Sequence, residues 1–146
     1  PVAILAQAIW AQVFAAGSLR GLAAAPPSSE ARPSAMPLAT CLTDSPVLIE
    51  KSPEVAKALH ECVKTALGKP DMYITVAVSK AECVCVNGEP QSAVIQVDSI
   101  GGALGPFTAA VCEKLAAIGG VQKEKVTCTF RSVDGKEFAM NGKTIF

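Results

Sequence analysis

Six cysteines, Cys41, Cys62, Cys83, Cys85, Cys112 and Cys128, and a single histidine, His60, are the residues whose types could carry thiol or metal chemistry. Cys83 and Cys85 form a CxC, the start of a metal-ligand spacing. A closed zinc site needs four donors, commonly supplied by two such pairs. The sequence offers neither a second close pair nor a second histidine, so no metal and no cofactor is expected. Six cysteines in 146 residues are also too sparse for a disulfide scaffold, and three fall on apolar stripes. The expectation is reduced, buried, structural thiols. A different chemistry is suggested by "AMPLATCL", residues 35 to 42, where Met36 directly precedes Pro37 as though the chain began a second time. Lys69, in "GKP", follows a helix stop and precedes a strand. From there an ammonium can be aimed into a pocket, although a solvated charge near the helix carbonyls would look the same. In "DSIGG", Gly101 and Gly102 lead into a helix, where the backbone can approach and hold an anion. A plain strand-to-helix turn is the competing reading.

The elements that must position these residues begin at Met36. Residues 1 to 35 stand apart, with no acidic residue before Glu30, an apolar stretch interrupted by Gln7 and Gln12, and a Pro/Ser/Ala-rich tail. The stretch is too short to span a bilayer. It reads either as a signal or transit segment or as an extension upstream of a true start at Met36, and in both cases it is set aside from the fold. From Pro37 to Leu42 the pattern is a strand. Ser52-Pro53-Glu54 opens a helix, with Ser52 as the cap and Pro53 in the first turn. Apolar residues then recur at Val55, Ala58, Leu59, Cys62, Val63, Ala66 and Leu67 up to a stop at Gly68. "MYITVAV", 72 to 78, is the next strand, followed by turn residues Asn87 to Pro90.

The second half repeats that order. "AVIQV", 93 to 97, reads as a strand. A helix carries Phe107, Ala110, Val111, Leu115 and Ile118 on one face and ends at Gly119-Gly120. "KVTCTF", 125 to 130, is another strand, and a last short one follows the "NGK" turn at 141 to 143. Two β-α-β units of similar length predict an α/β sandwich of the α+β kind: one four-stranded mixed sheet with two helices on one face and internal pseudo-symmetry. The other face and both edges stay open, which calls for oligomerisation. Lysine plus arginine equals aspartate plus glutamate at 13 each. That balance excludes the basic surface that nucleic acid or an anionic membrane would need.

Taken together, "MPLATCL", "ALGKPDMYITVAV", "GEP", "DSIGG" and "FAMNGKTIF" resemble, in order and approximate spacing, the macrophage migration inhibitory factor family of the tautomerase superfamily. The resemblance covers residues 36 to 146. It implies a homotrimer with active sites at subunit interfaces and a catalytic proline, Pro37, exposed as a free secondary amine once Met36 is removed. It assigns Lys69 to the substrate's carboxylate or carbonyl oxygen, and Ile100, with Gly101 beside it, to a backbone N–H contact. It places Tyr73, Phe138, Met140 and Ile145 around the pocket rim. Thr127 and Thr129 stand where many relatives present an aromatic residue and an asparagine from the neighbouring subunit. The implied activity is an isomerase's, keto–enol tautomerisation of an α-keto acid such as phenylpyruvate, with dopachrome-type isomerisation beside it. The alternative is a secreted, cytokine-like binding protein with a vestigial site, recognised by a cell-surface receptor. Either implies a secreted or cytoplasmic protein, or an organellar one if residues 1 to 35 are a presequence. The CxxC that some members use for thiol–disulfide chemistry is absent, since that region reads "EPQSAVIQ".

Overall fold

The computed structural model describes Met36 to Thr144 apart from Ala103. Residues 1 to 35 and the rim position Ile145 lie outside the described residues. Strand β1, Leu38–Thr43, is followed by a single-turn helix α1, Pro46–Glu50, and a longer helix α2, Ser52–Leu67. Strand β2, Thr75–Lys80, runs parallel to β1. After a loop come β3, Ala93–Ser99, helix α3, Leu104–Gly119, and β4, Val126–Ser132. A two-stranded hairpin of β5, Ala139–Met140, and β6, Lys143–Thr144, follows. The main sheet has the order β2-β1-β3-β4, with β1 antiparallel to β3 and β3 parallel to β4. Two β-α-β units therefore meet back to back at β1 and β3.

Register decides which face is buried. Ala39, Cys41, Ile95 and Val97 point to one side and are fully buried beneath Val55, Leu59 and Val63 of α2 and Phe107, Val111 and Leu115 of α3. The spacing of these helix residues, three or four apart, is that of one apolar stripe laid on a sheet. On the opposite face Thr75, Ala77 and Ser79 of β2, Leu38, Thr40 and Leu42 of β1, Val94, Gln96 and Asp98 of β3, and Thr127, Thr129 and Arg131 of β4 share one surface. No described helix covers it.

Four details differ from the sequence reading. The single-turn α1 was not expected; it is fixed by the fully buried Leu48, whose Cδ2 would lie 2.6 Å from a Cβ added at Gly119. Because α1 runs almost directly into α2, Lys51 occupies the cap position, and Ser52 is already helical with its hydroxyl bonded back to the Ile49 carbonyl. The segment Asp71–Tyr73 is a 3-10 turn, so the strand expected from residue 72 begins at Thr75. Finally, Cys83 and Cys85 are exposed rather than buried, since they lie in a loop outside both apolar stripes. All six cysteines carry free thiols, and burial pushes those of Cys41 and Cys128 up to about 11. Gly68 ends α2 with φ 63°, the left-handed conformation expected of that stop.

Candidate active site

The sheet brings the sequence candidates together at one end. Leu38 pairs with Thr75 on one side and Asp98 on the other, so Pro37, one residue earlier, lies between the start of β2 and the end of β3. Its ring is fully buried, and its carbonyl accepts a hydrogen bond from the Thr75 N–H at 3.0 Å. Tyr73 closes the 3-10 turn that delivers the chain to this point and is half-buried.

Lys69 reaches the same end from α2. The left-handed Gly68 turns the chain out of the helix, and Pro70 stops it from re-entering. The Lys69 side chain is then buried, only 7% exposed as a residue, and its Nζ donates to the Ile100 carbonyl at 2.8 Å. Burial alone depresses its pKa below the ordinary lysine value. Among the described residues no carboxylate lies within ion-pair distance of it. A buried ammonium held by one neutral acceptor retains most of its attraction for an incoming anion.

Gly101 and Gly102 shape the opposing wall, with φ 69° and 129°. A Cβ at Gly102 would stand 3.1 Å from Leu67 and 3.5 Å from Phe130, so this turn rests on the end of the helix that launches Lys69. The Ser99 hydroxyl bonds the Gly101 carbonyl at 3.0 Å and tightens the turn further. Ile100 enters the observed geometry through its carbonyl, which is taken by Lys69, rather than through its N–H.

The remaining candidates divide. Val133 N–H donates to the Ser99 carbonyl at 3.2 Å, which carries the chain after β4 back toward the site. Phe138 then lines a cleft of about 480 Å³ with Asp98, Arg131, Ser132, Val133 and Glu137. Met140 sits half-buried in the β5–β6 hairpin, opposite Lys143. Thr127 and Thr129 are exposed on the open face of β4, and Thr127 aligns through Val94 with Leu42. That is five residues from Pro37 along β1, or about 16 Å at the usual strand rise. Thr129 aligns through Gln96 with Thr40, three residues or about 10 Å from Pro37 along β1 and two strands across, so one chain does not bring either threonine to its own Pro37.

A pair that the sequence did not reveal lies beside Leu38. Arg131 donates from Nε and Nη2 to the two carboxylate oxygens of Asp98 at 3.0 and 2.8 Å, and Gln96 adds a contact at 3.3 Å. The guanidinium holds the Asp98 carboxyl below the ordinary aspartate range against the opposing effect of burial. An acidic charge next to Pro37 is thereby neutralised. The residues are 33 apart in the chain, and only the β3–β4 register brings them together. Among the described residues no helix is long and apolar enough to cross a membrane.

The family model described as macrophage migration inhibitory factor (MIF) matches residues 36–146. Among solved structures, the MIF-like protein of Entamoeba histolytica superposes with a TM-score of 0.68 at 22% identity, covering 75% of this chain and 98% of that one. The macrophage migration inhibitory factor of Toxoplasma gondii gives 0.67 at 26% identity, over 73% and 98%. A third protein, captured after inactivation by 2-oxo-3-pentynoate, gives 0.65 at 15% identity, over 74% and 96%. No curated protein sequence matches the chain.

Proposed function

We propose, on the premise that this chain belongs to the macrophage migration inhibitory factor family, that it is a keto–enol tautomerase of α-keto acids such as phenylpyruvate. Pro37 serves as the base once residues 1 to 36 have been removed. The observation that carries this reading is the buried, carboxylate-free Lys69, bonded to the Ile100 carbonyl at 2.8 Å at the same end of the sheet as Pro37. A solvated lysine would have neither the burial nor the depressed pKa.

In the chain of 146 residues the Pro37 nitrogen is a tertiary amide without a basic lone pair. Freed, it becomes a secondary amine. An ordinary α-amino group titrates near about 7.7 to 8.0; burial and the Lys69 cation both disfavour its charged form and lower that value. The neutral amine removes a proton from the carbon adjacent to the substrate ketone. Charge develops on the ketone oxygen, where Lys69 stabilises it together with the substrate carboxylate. The protonated Pro37 then returns the proton to that oxygen and the enol leaves, so the net change is one proton moved from carbon to oxygen. Dopachrome-type isomerisation likewise moves one proton from carbon to oxygen, there across a conjugated quinone-like ring system.

The working form is a homotrimer. The polar, uncovered sheet face and the placement of Thr127 and Thr129 far from their own Pro37 both support a site completed by a second copy. The test is covalent capture. An acetylenic α-keto acid such as 2-oxo-3-pentynoate adds across its triple bond to a neutral amine with no leaving group. On the chain beginning at Pro37, peptide mass mapping should place the adduct on residue 37 with parallel loss of activity. An adduct on another residue, or activity that survives full labelling, overturns the assignment.

A further inference from the structure

The thiols of Cys83 and Cys85 lie 3.6 Å apart, sulfur to sulfur, on an exposed loop at the far end of β2. The tautomerase reading uses neither residue. Val84 between them is 7% exposed, so the chain alternates out, in, out, and both thiols face the same side. The loop is built to hold that arrangement. The Asp44 carboxylate accepts from the Gln91 N–H at 3.2 Å and the Ser92 N–H at 2.9 Å. Val86 and Glu89 close a tight turn over Asn87 and Gly88, both with positive φ. Asp44 also lies close enough for its charge to act on the Cys83 sulfur.

We propose that Cys83 and Cys85 form a two-thiolate site for a soft monovalent cation, Cu(I). Thiolates select soft ions. Among the described residues no group of three or more His, Cys, Asp or Glu side chains is placed to hold one ion. A two-donor site leaves zinc short of its four ligands, whereas Cu(I) is satisfied by two. Taking about 2.3 Å for each metal–sulfur bond, the sulfurs of a linear site stand about 4.6 Å apart. Two exposed side chains reach that by rotating outward about 1 Å. An internal disulfide fits worse. Alternate residues of an extended chain have Cα atoms about 6.6 Å apart, at the outer limit for a disulfide, and the buried Val84 resists the necessary kink. The Asp44 carboxylate attracts a cation to this spot, and in the metal-free chain it favours the neutral Cys83 thiol over the thiolate. Binding releases both thiol protons, leaving a bis-thiolate complex of net charge minus one.

The experiment is an anaerobic titration of the full chain with Cu(I) buffered by bicinchoninate. The wild type should withdraw one Cu(I) per chain. Cys83→Ser and Cys85→Ser should each weaken binding about a hundredfold by removing one of two soft donors, while Cys112→Ser leaves it unchanged. Iodoacetamide labelling of the wild-type chain gives a readout that needs no variant to fold: Cu(I) should protect Cys83 and Cys85 alone. Failure to withdraw copper, equal affinity in the serine variants, or labelling of both thiols in the presence of Cu(I) overturns the site. On chains beginning at Pro37, tautomerase activity should be the same in Cys83→Ser and Cys85→Ser as in wild type, so this result stands apart from the outcome at Pro37.

Discussion

Replacing Lys69 by alanine on the chain beginning at Pro37 probes the active site at its buried cation. Lys69 is 7% exposed as a residue and its ammonium donates to the Ile100 carbonyl, so its contact with a substrate carboxylate would be largely desolvated and charge-assisted. Such a hydrogen bond contributes about 1.5 to 3 kcal/mol, or roughly ten- to a hundredfold in binding at 1.4 kcal/mol per decade. A second effect compounds it: without the neighbouring cation, the pKa of the freed Pro37 amine rises toward the ordinary α-amino range. The assay compares kcat/KM for phenylpyruvate and its methyl ester across pH, following the enol by absorbance. Lys69→Ala should lose about ten- to a hundredfold on the acid and clearly less on the ester, and the rising limb of its pH profile should move to higher pH. Equal losses on acid and ester with an unmoved profile would show that Lys69 neither binds the carboxylate nor tunes the base.

Gly119→Ala should destabilise the fold by about 1 to 3 kcal/mol, because the new methyl meets the fully buried Leu48 at 2.6 Å; an unchanged urea midpoint would contradict the packing of α1 against α3. Arg131→Ala should lower stability at neutral pH and leave it unaltered in strong acid. Asp98 has a depressed native pKa, so its contribution is present above the unfolded value and is lost as pH falls through the folded one; an equal deficit at pH 7 and about pH 2 would refute that linkage. Cys41 and Cys128, with thiols pushed up to about 11, should resist alkylation in the native chain while Cys83 and Cys85 react. Mass mapping after a brief iodoacetamide pulse decides this, and early labelling of Cys41 would contradict the burial.

The sheet and its two long helices were legible because their signal is periodic. Val55, Leu59, Cys62, Val63 and Leu67 mark one face of α2, and all are buried. Gly68 was legible as a stop because few other residues accept its φ. Helix α1 was not, since five residues give no period and only Leu48 records what the turn packs against. The Ser52 cap was misread for a related reason: the rule that places a serine ahead of a helix assumes that a loop precedes it, and here another helix does. In the site, Pro37 and Lys69 are 32 positions apart and gained meaning in sequence only through the family resemblance. Their proximity to Ile100 and the Asp98–Arg131 pair follow from strand register, which no local pattern encodes.

The central claim is that a free Pro37 nitrogen is the base. It is tested most directly by measuring phenylpyruvate tautomerisation on two chains side by side, one beginning at Pro37 and the other spanning residues 1 to 146, with intact mass recorded before and after each assay. The chain beginning at Pro37 should turn over substrate, with activity rising through an amine pKa below the ordinary value of about 7.7 to 8.0, and the full chain should be inactive. Equal activity in a full chain that remains uncleaved by mass would contradict the account, because an amide nitrogen cannot take the proton.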